Sequence, residues 1–169
     1  MRGFPISILV ASLLLAASPA TAQDRPAALV EGAAGVASFV DDASKRFVYV
    51  GASGRAYVTP RVAIGPEFIS MRGPNESHQW HLTGNVTVDL WLNPPPGNRT
   101  RVVPYLVAAA GYQRMTNQVG TGPFTSAEGS FSGGAGARIQ LTDTIFIAPE
   151  FRLGWETHFR FGATAGVRF

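Results

Sequence analysis

The chain has 169 residues, 14 basic against 11 acidic for a net charge of +3, and no cysteine. The lack of cysteine excludes a disulfide framework and a lipidated N-terminal cysteine anchor. Thirteen of the basic residues are arginines spread singly along the chain, which argues against a nucleic-acid-binding face, and Lys45 is the single lysine.

At the N-terminus, Arg2, the apolar run Phe4–Ala17 and the small residues Ala20-Thr21-Ala22 have the anatomy of a secretory signal peptide. The run is too short to span a membrane comfortably, so residues 1–22 are expected to be cleaved and 23–169 to form one domain. Beyond it, period-two alternation predicts strands over Leu29–Phe39, Phe47–Val58, Arg61–Ser70, Gln79–Leu92, Arg101–Tyr112, Glu128–Leu141, Ile145–Trp155 and Phe159–Phe169.

The first strand leaves its phase open. In the second, Val48, Val50, Ala52, Ala56 and Val58 form the preferred apolar face, which turns Phe47, Tyr49 and Tyr57 the other way. Val58-Thr59-Pro60-Arg61 is a tight turn into the third strand. The fourth is cleaner: Trp80, Leu82, Gly84, Val86, Val88, Leu90 and Leu92 oppose His81, Thr83, Asn85, Thr87 and Asp89, with Trp91 on the polar side. A stiff connection, LNPPPGNRTR, leads to the fifth strand, whose phase is again open. The sixth sets Phe131, Gly133, Ala135, Ala137, Ile139 and Leu141 against Ser130, Ser132, Gly134, Gly136, Arg138 and Gln140. A second tight turn, Leu141-Thr142-Asp143-Thr144, precedes two strongly alternating strands.

Strands of about ten to fourteen residues exceed the five or six usual in globular proteins and match the roughly nine to eleven of a tilted membrane strand. Charged residues are 15% of the chain, against roughly 25% in a soluble domain. The polar face is Gly, Ser, Thr and Arg, as a narrow hydrated interior requires. Export, strand length and the near-absence of lysine all turn the apolar face outward. The expected fold is all-β, an eight-stranded antiparallel up-and-down transmembrane barrel after a signal peptide. Tight turns alternate with longer segments Val40–Arg46, Met71–His78 and Gln113–Ala127, the last being the longest predicted loop. Both termini then lie on the short-turn side. Aromatics gather at strand ends, Trp80, Tyr112, Phe131, Trp155 and Phe159 at the outer rim, Trp91 and Phe169 at the inner, as an interface girdle would.

VAIGPEF and IFIAPEF place Pro-Glu-Phe in the third and seventh strands. With Phe68 and Phe151 facing lipid, Glu67 and Glu150 face the lumen and need partners; Arg138, Arg152 and Arg160 are the candidates. Pairing Leu141 with Ile145 across the turn puts Gly136 opposite Glu150, one diagonal step from Arg138. Each mid-strand proline removes a ladder donor, so a local bulge is expected there. A barrel of eight strands is filled by its own side chains, so these charges are expected to form a structural plug.

FRFGATAGVRF at the end of the chain, with VVPYLVAAAGY and GGAGARIQLTDTIFIAPEFR, resembles the small eight-stranded outer-membrane β-barrel family of Gram-negative bacteria, the OmpA-type or opacity-like porins. The resemblance covers essentially all of Leu29–Phe169. It implies outer-membrane lipid as the surroundings, and periplasmic chaperones and the barrel-assembly machinery as partners, the latter reading Phe161, Val167 and Phe169 of the last strand. It implies a monomer with a structural or surface-recognition role, no cofactor, no metal and no nucleic acid. With nothing following Phe169, no wall-binding domain is expected. Related barrels include lipid A-modifying enzymes, but NESHQWH, which gathers Glu76, Ser77, His78 and His81, lacks their His-x-Ser-Asn pattern and reads as a polar loop. A soluble lipocalin-like carrier and a narrow channel are the other rivals.

Overall fold

The alternation folds into eight strands: β1 (Ala28–Phe39), β2 (Lys45–Tyr57), β3 (Val62–Arg72), β4 (His78–Asp89), β5 (Val102–Val119), β6 (Gly122–Gln140), β7 (Ile145–Gly154) and β8 (His158–Arg168). The structure is a computed structural model and describes residues 27–40, 45–74, 77–90, 102–119, 122–155 and 158–169. Each strand pairs antiparallel with the next, and β1 also pairs with β8 from Leu29↔Arg168 to Phe39↔His158, so the sheet closes. Closure leaves no free edge in the wall, which a bilayer demands because lipid offers backbone groups no partner. The first and last described residues, Ala27 and Phe169, and the tight turns at 58–61 and 141–144 share one end, the periplasmic end in this layout.

The apolar face is outward. Val48 and Val50 are 62% and 63% exposed while Phe47 and Tyr49 between them are buried, so β2 adopts the valine face. The two open phases resolve the same way. In β1, Val30 and Val36 point out while Leu29, Glu31, Ala37 and Phe39 point in. In β5, Val102, Leu106 and Tyr112 point out while Val103, Tyr105, Val107 and Ala109 point in. The inward apolar residues form two caps, Ala37, Phe39, Phe47, Tyr49, Ile69 and Met71 near the outer end and Leu29, Tyr105, Val107, Phe146 and Ala148 near the inner.

Two expectations fail. The described part of segment Gln113–Ala127 is strand, not loop: the β5–β6 ladder continues through Gln113↔Glu128 and Thr116↔Thr125 to Val119↔Gly122. Its polar residues stay within strand structure; the Thr116 and Thr125 hydroxyls lie 3.4 Å apart across the ladder. The prolines produce no bulge either. Ser53↔Glu67 and Ala56↔Ile64 keep one register past Pro66, and Gly136↔Glu150 and Ile139↔Ile147 keep one past Pro149. The ladder lapses on one side of each proline and continues on the other, through Pro66↔Gly84 and Pro149↔Ala163. A proline lacks one donor, and an antiparallel residue directs its donor to a single neighbour, so one side bears the loss. Both rings face outward.

Candidate functional site

The lumen carries a charged layer between its two apolar caps. Among the described residues, four carboxylates (Glu31, Glu67, Asp89, Glu150) and four guanidiniums (Arg55, Arg138, Arg152, Arg160) are buried there. The numbers balance, which is the condition for keeping charges out of water at all.

Arg152 on β7 is the hub. Its two terminal nitrogens donate to the two carboxylate oxygens of Glu67 on β3, at 3.0 and 2.8 Å. Nε donates to Glu150 at 2.7 Å, and Nη1 also reaches Asn85 Oδ1 at 3.1 Å. A guanidinium is a planar fork, and the paired approach to Glu67 uses that shape fully. Arg160 approaches Glu67 at 3.5 Å and Arg55 approaches it at 3.9 Å. Arg55 also pairs with Glu31, which accepts from Ser53 Oγ at 2.9 Å.

A second group lies toward the inner end. Arg138 pairs with Asp89 over the intervening β5 and donates to Tyr57 Oη at 3.2 Å, while Tyr57 donates to Asp89 at 2.8 Å. Tyr105 joins the two groups. Its hydroxyl donates to Glu150 at 2.8 Å and its ring lies 4.3 Å beneath the Arg138 guanidinium. Gly136 faces that phenol, and a Cβ there would meet the ring and hydroxyl at 2.5 Å, so only glycine leaves room for Tyr105.

Of the residues singled out in the sequence, Glu67, Glu150, Arg152 and Arg160 come together. Arg138 does not join them: although Gly136 stands opposite Glu150 as expected, its side chain crosses to Asp89 on β4. Glu31, Arg55, Asp89 and Tyr105 were missed. Glu31, Arg55 and Tyr105 lie on strands whose alternation is blurred by apolar inward residues, whereas Asp89 stood in plain view on the polar face of β4.

Beside the apolar cap, the outer end of the lumen also carries polar side chains, among them Gln79, His81, Gln113, Ser130 and His158. His81 is buried there 3.4 Å from Ser130 Oγ, and its ring lies edge-on to that of His158, 6.0 Å away. His158 shares a 2.7 Å hydrogen bond with the Trp155 carbonyl and stacks on Phe39. His78 and His81 lie on opposite faces of β4, as three residues along a strand must. His78 Nε2 meets Ser70 Oγ at 3.2 Å. Ser77 is buried in the β3–β4 connection, and Glu76 lies outside the described residues.

The outward aromatics form contacts at the outer rim: Trp80 with Tyr112 at 5.6 Å and with Phe68 at 6.5 Å, Phe131 with Trp155 at 5.0 Å, and Phe151 with Phe159 at 6.2 Å. Trp91 lies outside the described residues. Phe161, Val167 and Phe169 share the outward face of β8, and the Phe169 amide donates to the Ala28 carbonyl at 3.0 Å, sealing the β1–β8 seam.

The family model described as "Outer membrane protein beta-barrel domain" matches residues 7–169. Neisserial surface protein A is similar in structure, with a TM-score of 0.67 at 12% identity over 84% of this chain and 96% of that one. The N-terminal barrel domain of Pseudomonas aeruginosa OprF gives 0.63 at 17% identity, over 83% and 97%. The attachment invasion locus protein Ail of Yersinia pestis gives 0.53 at 13%, over 84% and 96%. At such identities the likeness is one of fold. No curated protein matches the chain by sequence.

Proposed function

Because this chain belongs to the outer membrane protein beta-barrel domain family and is an outer-membrane barrel, we propose that it serves that membrane as a structural, non-catalytic element and recognises a surface ligand through the β5–β6 hairpin. The observation that carries this reading is how far the hairpin rises. Pairing of β4 with β5 ends at His78↔Thr116, and pairing of β6 with β7 ends at Ser132↔Gly154. β6 therefore rises past its β7 ladder well before β5 leaves β4, and from Asn117↔Phe124 to Val119↔Gly122 the two strands hold only each other among the described residues. Phe124 is 60% exposed on this ribbon. An aromatic presented to water beyond the lipid has the character of a contact residue.

The filled, ion-paired lumen favours a plug over a conducting path. A lipocalin-like carrier needs an apolar cavity, which the charged layer denies it. The His81–Ser130 pair faces the interior, away from lipid acyl chains, which supports the non-catalytic reading over lipid A modification.

The Yersinia barrel exists in complex with the heparin analogue sucrose octasulfate, so a sulfated oligosaccharide belongs among the first probes for this chain. Cells displaying the wild-type barrel, and cells in which residues 115–126 are replaced by Asn-Gly, are compared for adhesion to immobilised matrix proteins and sulfated oligosaccharide. The shortened barrel is expected to keep its heat-modifiable gel migration and to lose adhesion by about tenfold, since a few contact residues carry most of an interface. Equal adhesion by both would remove the ribbon from the function.

Export by residues 1–22, passage by periplasmic chaperones, reading of Phe161, Val167 and Phe169 by the assembly machinery, and a monomeric state belong to the same proposal. N-terminal sequencing of the chain recovered from outer membranes is expected to begin at Gln23. A sequence beginning at Met1 contradicts cleavage.

A further inference from the structure

We propose that the outward face of β2–β5 at the outer rim binds the phosphate groups of an outer-leaflet glycolipid through Arg46, Arg72 and Arg114, beside Trp80. The inference rests on the barrel's orientation taken above and is independent of the hairpin's ligand.

The outward positions of these strands are apolar through the membrane: Val48 and Val50 on β2, Ile64 and Phe68 on β3, Leu82 and Val86 on β4, Leu106 and Tyr112 on β5. The pattern changes abruptly at the rim. Arg46, Arg72 and Arg114 are all exposed on the same outward phase. The registers bring them together, with Arg72 opposite Val48 on β2 and His78 on β4, and Arg114 opposite Trp80. Neighbouring strands lie about 4.8 Å apart, so Arg72 and Arg114 flank the strand of Trp80 at roughly 10 Å, within reach of one headgroup.

Depth identifies the partner. Trp80, opposite Arg114, packs on Tyr112 and on Phe68, which lie nearer the membrane centre than Arg114 and Arg72 on their own strands. Amphipathic rings mark the boundary between acyl chains and headgroups, so the guanidiniums emerge sideways at headgroup level. A soluble ligand would meet the top of the barrel first, whereas a lipid lies against its flank. His78, tied to Ser70 Oγ at 3.2 Å, adds a polar pair to the same patch.

The arrangement is one-sided. At the same end, the outward residues of β6–β8 include Phe131, Trp155 and Phe159, and among the described residues no outward arginine stands with them. Arg152 and Arg160 of those strands point into the lumen. Among the described residues, no carboxylate lies within ion-pair distance of Arg46, Arg72 or Arg114. Like charges on adjacent strands are unfavourable unless an anion lies between them. Phosphate fits that need, because the guanidinium fork meets two of its oxygens at once.

The test uses the folded full-length barrel reconstituted in phosphatidylcholine vesicles containing either bisphosphorylated lipid A or the same lipid stripped of phosphate. Lipid retained by the protein on release is read by native mass spectrometry. The wild type is expected to retain the phosphorylated lipid selectively. The triple variant Arg46→Gln, Arg72→Gln, Arg114→Gln is expected to bind it on the order of a hundredfold more weakly, about fivefold for each charge removed at an anionic membrane surface. Arg61→Gln, at the opposite rim, is expected to match the wild type. A triple Arg→Lys variant should fall between, and replaces the Gln variant if the latter does not show folded gel migration. Equal retention of both lipids, or of the phosphorylated lipid by wild type and triple variant, overturns the proposal. So does complete displacement by a soluble sulfated oligosaccharide, which would make the patch a site for soluble polyanions. Loss of adhesion on shortening the hairpin is a separate readout, so the two proposals fail separately.

Discussion

Replacing Arg152 by methionine is expected to destabilise the folded barrel by roughly 3–5 kcal/mol, the cost of stranding buried charge. The side chain makes four hydrogen bonds to Glu67, Glu150 and Asn85 at 2.7–3.1 Å. Without it, Glu67 keeps only Arg160 at 3.5 Å and Arg55 at 3.9 Å, and Glu150 keeps the Tyr105 hydroxyl. The loss is one of compensation, so removing the stranded acids should reverse it. The triple variant Arg152→Met, Glu67→Gln, Glu150→Gln is expected to recover most of the stability, because a buried ion pair replaced whole is often near neutral. Urea titration in detergent, read as the fraction of heat-modifiable folded protein, separates the cases. An unchanged midpoint for the single variant would show that the lumen is wet enough to solvate its own charges.

Leu106→Arg addresses the opposite face. Leu106 is half exposed in the middle of β5's membrane-crossing stretch. On a soluble protein such a substitution changes stability by within about 0.5 kcal/mol. Facing lipid near the bilayer midplane, arginine costs about 2–4 kcal/mol. Equilibrium unfolding from phosphatidylcholine vesicles is expected to show the larger figure, with a lower folding yield. A cost below about 0.5 kcal/mol would mean that water, not lipid, covers this wall.

How much of this was legible along the chain depends on the contrast between the two faces. On β4, on β8 and from Pro149 to Leu153 of β7, polar and apolar residues alternate, so facing, and with it the inward position of Glu150, Arg152 and Arg160, followed from period two. The mid-strand Pro-Glu-Phe of β3 marked Glu67 in the same way. On β1, β2 and β5 the contrast fails because the lumen is capped at both ends by apolar side chains such as Phe39, Phe47, Tyr49 and Val107. An inward phenylalanine and an outward valine look alike to a pattern of hydrophobicity. Glu31 and Arg55, on two of these strands, were therefore hidden, and with them half of the Glu31–Arg55–Glu67 chain of contacts.

Local order along the chain is sufficient for the architecture: a period of two, lengths that cross a bilayer and an even count of strands are properties of each segment and need no knowledge of the others. Partnership is different. Arg138 stands two residues from Gly136, the neighbour of Glu150, yet meets Asp89 because the β4–β5 and β5–β6 registers set Asp89 and Gly136 on either side of Tyr105. Barrel closure goes further and brings Arg152 on β7 to Glu67 on β3, opposite strands that share no ladder, and no one-dimensional spacing encodes that distance. The same holds for the rim arginines, scattered singly in sequence and gathered only when register sets β2, β3 and β5 on one flank of the barrel around β4.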